Sequence, residues 1–229
     1  MEKADANHVM RLQEAWKKEV RPEDYDAHMF QVGQAQANAQ LVADWLRTNP
    51  PKPGSSILFA GAGTGQMFDF VSPEILFPYR VTFTDINVDY LKRLEARLKS
   101  KTQLRFEAIL DNLERPQLSS RYALAVAVLV LEHVDWHLAV GALCTLSVEN
   151  VFVVIQENPP NSAMAITENQ PFIGTMRVFR EVHPILLNRE ALVKEFEYHG
   201  FYLSYSREKP VPYEKRMIGL GFVRNCRIC

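Results

Sequence analysis

The run Ile57-Leu58-Phe59-Ala60-Gly61-Ala62-Gly63-Thr64-Gly65-Gln66 constrains this chain more than any other segment. An apolar stretch suited to a short buried strand leads straight into three glycines at alternate positions. Such glycines permit backbone angles that other residues resist, and they let a ligand lie against the main chain. A helix opening just after the turn points free N–H groups at any bound anion. In open parallel sheets, ligands sit beyond the carboxyl ends of the strands, near the switch in strand order. The turn therefore predicts a fold class and also the place of its site.

The rest of the chain supplies the alternation such a sheet needs. Residues 56–60, 80–84, 103–109, 122–130 and 150–156 read as strands, and 122–130 is almost wholly apolar, as a central parallel strand is. Between them, residues 64–71 are expected to open a helix. Residues 87–100 form another, with Val88, Leu91, Leu94 and Leu98 on one stripe, and 135–146 a third. Near the end, 188–199 reads as a helix with Asn188 as N-cap and Gly200 as its stop. Strands 201–206 and 217–223 follow, joined by a Pro-containing connection. The class is α/β, an open and mostly parallel sheet covered by helices on both faces.

Residues 1–50 carry a helical pattern instead. Val9, Leu12 and Trp16 recur at helical spacing, as do Leu41, Val42, Trp45 and Leu46, with Pro22 dividing the region. Asn49-Pro50-Pro51-Lys52-Pro53-Gly54 is a stiff stop. The expected division is an N-terminal helical extension or lid over 1–50 and a ligand-binding domain over 51–229.

Charge narrows the partners. The chain has 229 residues and a formal net charge of −1. A protein gripping a phosphate backbone usually carries a basic excess, so nucleic acid is disfavoured. No apolar run approaches the ~18 residues of a membrane span, and the polar start is unlike a signal peptide, so the cytoplasm is the expected compartment. Cys144, Cys226 and Cys229 make no disulfide framework. The terminal Cys226-x-x-Cys229 pair lacks a second pair or a nearby His, and no metal site is expected. Nothing in the sequence reads out an oligomeric state.

Several features fit a nucleoside-bearing cofactor. Asp85 ends the second strand in register with the glycine turn, where a carboxylate accepts hydrogen bonds from both ribose hydroxyls; Ile86 would then lie on the adenine face. Ile109-Leu110-Asp111-Asn112-Leu113 follows the third strand, and Val128-Leu129-Val130-Leu131-Glu132-His133-Val134 the fourth. A dinucleotide fingerprint requires a third Gly or Ala where Gln66 stands.

Taken in order, these pieces resemble class I S-adenosylmethionine-dependent methyltransferases of the small-molecule type, over roughly residues 55–225. The resemblance implies a Rossmann-like sheet of seven strands, the last antiparallel, with an N-terminal helical lid. It implies S-adenosyl-L-methionine as cofactor, held by the turn (Ala60, Gly61, Ala62, Gly63, Gly65), by Asp85 and Ile86, by Leu110, Asp111 and Asn112, and by Leu129 and His133. In that family Asp111 would accept from the adenine amino group. The implied partner is a small-molecule methyl acceptor. Two positions depart from the pattern: Phe59 stands where the family has an acid that helps hold the methionine ammonium, and Ala123 where an Asp is frequent.

Candidates for the chemistry lie in three places. Tyr25 in Asp24-Tyr25-Asp26-Ala27-His28-Met29-Phe30 is expected to touch the sulfonium, with Met29 or Phe30 walling the acceptor site. Glu157, at the end of the fifth strand, is expected to face the active-site edge. Asn158-Pro159-Pro160 is not the Asn-Pro-Pro-aromatic motif of amide-nitrogen methyltransferases, since Asn161 follows it. Arg177 and Arg180 are candidate clamps for an anionic substrate, and His183 a candidate proton carrier. Two other readings stay open at this point: a cofactor-binding protein without catalysis, suggested by Phe59 and Ala123, and a nicotinamide-dependent oxidoreductase, which shares the strand, glycine turn, helix and acid.

Overall fold

The computed structural model describes residues 6–99, 103–159, 165 and 172–225. Its centre is a seven-stranded sheet of order β3-β2-β1-β4-β5-β7-β6. The strands are β1 (Ser56–Ala60), β2 (Arg80–Asp85), β3 (Arg105–Leu110), β4 (Tyr122–Val128), β5 (Ser147–Glu157), β6 (Phe201–Val211) and β7 (Lys215–Arg224). The first five are parallel, and β7 runs antiparallel between β5 and β6. Strand order switches between β1 and β4, so the carboxyl ends of those two strands flank the crevice where ligands of this architecture sit.

Helices α1 (Ala6–Glu14), α2 (Pro22–Gln31), α3 (Gln34–Thr48), α4 (Val88–Lys99), α5 (Trp136–Leu146) and α6 (Arg189–Tyr198) complete the fold. Pro22 is the first residue of α2, where its missing N–H is harmless. Asp135 and Asn188 cap α5 and α6 through their side chains. The stripe of α4 differs from expectation: Tyr90, Leu91, Leu94 and Leu98 are buried, while Val88 at the exposed first turn is 48% accessible.

Helix α3 belongs to the core of the sheet. Its Trp45 is fully buried and stacks on Phe152 of β5 at 5.2 Å between ring centres. Gly221 on β7 makes room for that indole, since a Cβ there would come within 2.1 Å of Trp45 Cζ3. Helices α1 and α2 lie instead toward the ends of the strands, where Leu12 and Ala15 pack with Met176 and Phe179 in a separate small cluster.

Two local expectations are corrected. The helix expected over 64–71 is only a four-residue 3-10 turn, Gln66–Asp69, followed by a second, Pro73–Leu76. Met67 and Phe68 are both buried, and Pro73 disfavours helical geometry at Ser72, so no longer helix continues through this stretch. At the other end, β6 runs on to Val211 and contains Pro210, so proline is inside the strand and not confined to the connection. An edge strand tolerates the missing N–H. The reversal to β7 is made by residues 212–214, with Tyr213 and Glu214 at φ 68° and 56°. Cys144 is buried in α5, and Cys226 and Cys229 lie outside the described residues.

Candidate active site

The glycine turn leaves β1 and is held to the neighbouring strand ends. Ala62 N donates to Thr84 O at 2.8 Å, and Asp111 N donates to Asp85 O at 3.0 Å, which carries the sheet's ladder into the loops. Gly61 is left-handed, with φ +63°, and a Cβ on it would fall 2.4 Å from Val130 Cγ2. Both facts require glycine. Asp85 binds the turn directly: Oδ2 accepts from Gly63 N at 2.9 Å and Oδ1 from Asn87 N at 2.9 Å. Burial pushes this carboxyl up to about 6, against the pull of those backbone donors.

A chamber of about 630 Å³ opens over the turn. Gly61, Gly63, Asp85, Ile86, Asp111 and Asn112 line it, as do Leu129 and His133 at its inner end. Other expected residues stand elsewhere. Ala60 and Ala62 face a smaller adjoining cavity of about 430 Å³. Gly65 packs against Leu94 of α4, and Leu110 is 57% exposed, because alternation along β3 turns it away from Asp111. Phe59 is buried among Phe68 and Phe83 and lines the smaller cavity beside Asn38. Asn38 is itself buried, and its Oδ1 has no hydrogen-bond partner among the described residues.

A second chamber of about 660 Å³ meets the first at Trp16, Tyr25, Leu129 and His133. Leu129 sits at φ 54°, a strained angle for a leucine, at this junction. The walls are largely aromatic: Trp16 lies 4.6 Å from Phe179, 4.9 Å from His133 and 5.3 Å from Tyr25, ring centre to ring centre. Tyr25 stacks on Tyr90 at 5.3 Å, and its hydroxyl accepts from Gln66 Nε2 at 2.9 Å. Burial raises the pKa of that phenol, so it stays protonated, and burial lowers His133 to about 3, so the imidazole stays neutral.

Glu132 is a candidate site residue that the sequence reading did not single out. It is 5% exposed and lines the second chamber. Oε1 accepts from Gln156 N at 2.8 Å, while Oε2 has no partner among the described residues. Burial pushes its carboxyl up to about 7. The available signal was an acid inside the apolar run 128–134, where a buried charge needs a reason. At the chamber's far side, Gln156 Oε1 accepts from Gln34 Nε2 at 2.7 Å, and Gln156 Nε2 donates to Asn158 Oδ1 at 2.8 Å and to Ala165 O at 3.0 Å.

Helix α2 straps the two chambers. Asp26 pairs with Arg93 at 2.6 Å and Arg97 at 2.9 Å, and accepts from the Thr64 hydroxyl of the glycine turn. Asp24 accepts from Thr175 N at 2.8 Å on the opposite wall. Met29 lines the second chamber, whereas Phe30 is 68% exposed and stacks on Phe70.

The remaining candidates fall outside both chambers. Glu157 pairs with Arg216; its neighbours Gln156 and Asn158 face the second chamber because side chains alternate at the strand end. His183 lines neither chamber, although Pro184 and Ile185 line the second, and its carbonyl accepts from His8 Nε2 at 2.7 Å. Arg177 and Arg180 are exposed, with Arg180 over the Phe172 ring at 5.5 Å. No group of His, Cys, Asp and Glu fit to hold a metal occurs among the described residues. No helix there is long and apolar enough to cross a membrane.

Buried polar atoms are normally paired. Trp16 Nε1, Tyr90 Oη, Glu132 Oε2 and His133 Nδ1 all lack a partner among the described residues, and all four residues line these chambers.

No family model matches the chain, and no curated protein matches it. Solved structures do. Magnesium protoporphyrin IX methyltransferase from Synechocystis PCC 6803 with bound SAM superposes at TM-score 0.65 and 15% identity, over 96% of this chain and 92% of that one. Geranyl diphosphate C-methyltransferase from Streptomyces coelicolor A3(2) gives TM-score 0.62 and 11% identity, over 81% and 79%. A phosphoethanolamine N-methyltransferase of Haemonchus contortus gives 0.61 and 12%, over 81% and 52%. At these identities the likeness establishes the fold: the chain has the Rossmann-like fold of class I S-adenosylmethionine-dependent methyltransferases.

Proposed function

We propose that this chain is a methyltransferase that uses S-adenosylmethionine on a small organic acceptor. The junction of the two chambers carries the reading. One chamber holds the glycine turn, Asp85 and Asp111; the other is aromatic with one carboxyl; and they meet at Trp16, Tyr25, Leu129 and His133. A donor and an acceptor seated side by side need such a doorway.

In this reading Asp85 takes the ribose hydroxyls, Asp111 the adenine amino group, and Ile86 one face of the ring. The family's acid at position 59 is missing, and Asn38 Oδ1, unpartnered beside Phe59 and Gly61, takes the ammonium of the methionine end. When bound, the cofactor supplies a methyl group on positively charged sulfur. The chain's own part is orientation and exclusion of water. Helix α2 closes the site through Asp24 and Asp26 and places Tyr25 at the doorway. Neutral His133 adds no positive charge beside a sulfonium, and the protonated Tyr25 hydroxyl keeps its proton to donate while accepting from Gln66.

The test is calorimetric titration with S-adenosylmethionine, S-adenosylhomocysteine and NAD in parallel. Binding of the two adenosyl compounds without NAD supports the reading. Binding of NAD alone moves the chain to oxidoreductase chemistry, and silence from all three removes the cofactor site.

A further inference from the structure

We infer that the acceptor held in the second chamber is a small aromatic or aliphatic amine carried as its ammonium, with Glu132 Oε2 as its counter-charge; this rests on the methyltransferase reading above.

Charge comes first. Among the described residues, the titratable side chains lining this chamber are Tyr25, His28, Glu132 and His133, and neither Lys nor Arg lines it. The buried Lys215 ammonium stands behind the wall, donating to Ala165 O at 2.8 Å, and does not line the chamber. A carboxylate or phosphate acceptor would therefore enter beside a buried carboxyl with no Lys or Arg among the described lining residues to receive it, an arrangement that is unfavourable. An ammonium neutralises the site instead.

Hydrogen bonding agrees. Glu132 lines the chamber; its Oε1 is already used by Gln156 N, while Oε2 is buried and has no partner among the described residues. A charged N–H donor gives the stronger kind of bond to that atom. The walls agree too, since Trp16, Tyr25, Phe172 and Phe179 surround the space, and aromatic faces attract cations. Binding holds the ammonium against the ionised carboxylate; methyl transfer then needs the nitrogen lone pair, and Oε2 is the base that takes the one N–H proton the amine must lose, leaving a neutral amine and a neutral carboxylic acid.

The experiment uses matched probes: benzylamine, benzyl alcohol and benzoate, then tryptamine, tryptophol and indole-3-acetate. Each is titrated calorimetrically into the full chain with and without S-adenosylhomocysteine. At least one amine is expected to bind tenfold or more tighter than its matched alcohol, and neither carboxylate to bind. Glu132→Gln should bring the amine down to the alcohol's affinity while S-adenosylhomocysteine binding is unchanged, which also shows that the variant is folded. Equal binding of amine and alcohol, preference for a carboxylate, absence of amine binding, or an unaffected variant overturns the inference. Failure of S-adenosylhomocysteine to bind is a separate result, and it overturns the methyltransferase reading instead.

Discussion

Replacing Glu132 by Gln should stabilise the protein at alkaline pH relative to acid pH, by an amount the structure sets. The carboxyl has an ordinary value of 4.5 and is pushed up to about 7 by burial in the folded chain. The folded state therefore holds this proton more tightly than the unfolded state. Below pH 4.5 both states are protonated and the group is neutral to stability. Between 4.5 and about 7 the unfolded chain ionises while the folded chain resists, so stability falls as pH rises; above 7 the penalty is complete. A gap of that size is worth roughly 3 kcal/mol in all, of which roughly 2–3 kcal/mol develops between pH 5 and pH 8. The amide has no charge and escapes it. Urea unfolding of both proteins at the two pH values isolates the effect, because Asp85, His133 and Lys215 titrate equally in each and cancel in the difference. Any loss of packing or hydrogen bonding in the variant adds a constant offset. A difference between variant and parent that does not move with pH would mean that Glu132 is not buried as a strained acid.

Other substitutions probe the neighbouring features. Asp85→Ala should weaken S-adenosylmethionine binding by about 1.5–3 kcal/mol through loss of two charge-assisted hydrogen bonds, and unchanged calorimetric affinity in a folded variant would remove Asp85 from the site. Asn38→Leu should lower affinity for S-adenosylhomocysteine about tenfold, roughly 1.4 kcal/mol, yet leave 5′-methylthioadenosine, which lacks the amino-acid end, unaffected; an equal loss for both would argue against a contact with the ammonium. Gly61→Ala meets both a left-handed backbone and Val130, and should cost about 1–3 kcal/mol in thermal or urea unfolding. Trp45→Ala should cost about 3–5 kcal/mol if α3 is core, whereas a loss below 1 kcal/mol would make that helix peripheral.

The sheet was legible in the sequence because its strands are short, apolar and punctuated. The seven strands of the sheet all have counterparts among the expected segments, and the turn at 61–65 named the switch point. What was hidden has specific causes. The break into 3-10 turns after the glycines follows from Pro73, and a motif that normally announces a helix masks that signal. Residues 34–48 carry a helical stripe indistinguishable from a lid's, and the small residues Gly219 and Gly221 that seat the helix on β7 lie at the far end of the chain. For the site, strand alternation decides Glu157 against Gln156, and register at a strand end is settled by pairing partners that a single sequence does not display. His183 and the two arginines fell where no periodicity orients a side chain. Glu132 was visible as a letter inside an apolar run, but its unpartnered oxygen is a fact of three dimensions.

Asp85 and Glu132 are physically the same device placed in adjoining chambers. Each is a carboxyl whose burial raises its proton affinity, to about 6 and about 7, and each is held by backbone N–H groups that do not fully offset the loss of water. In the ligand-free chain both carry a penalty near neutral pH, and ligands that donate hydrogen bonds or positive charge to them relieve it. Binding should therefore pull both groups back toward ordinary carboxylate values and raise stability by mass action. On the proposed reading the two effects fall on different ligands: ribose hydroxyls at Asp85, and the acceptor's own N–H groups at Glu132. Proton release on filling the first chamber and on filling the second is thus separable by titrating in buffers of different ionisation enthalpy. Two buried carboxyls in two chambers that share four wall residues are hard to account for by packing alone, since apolar side chains of similar volume would fill the same space without either penalty.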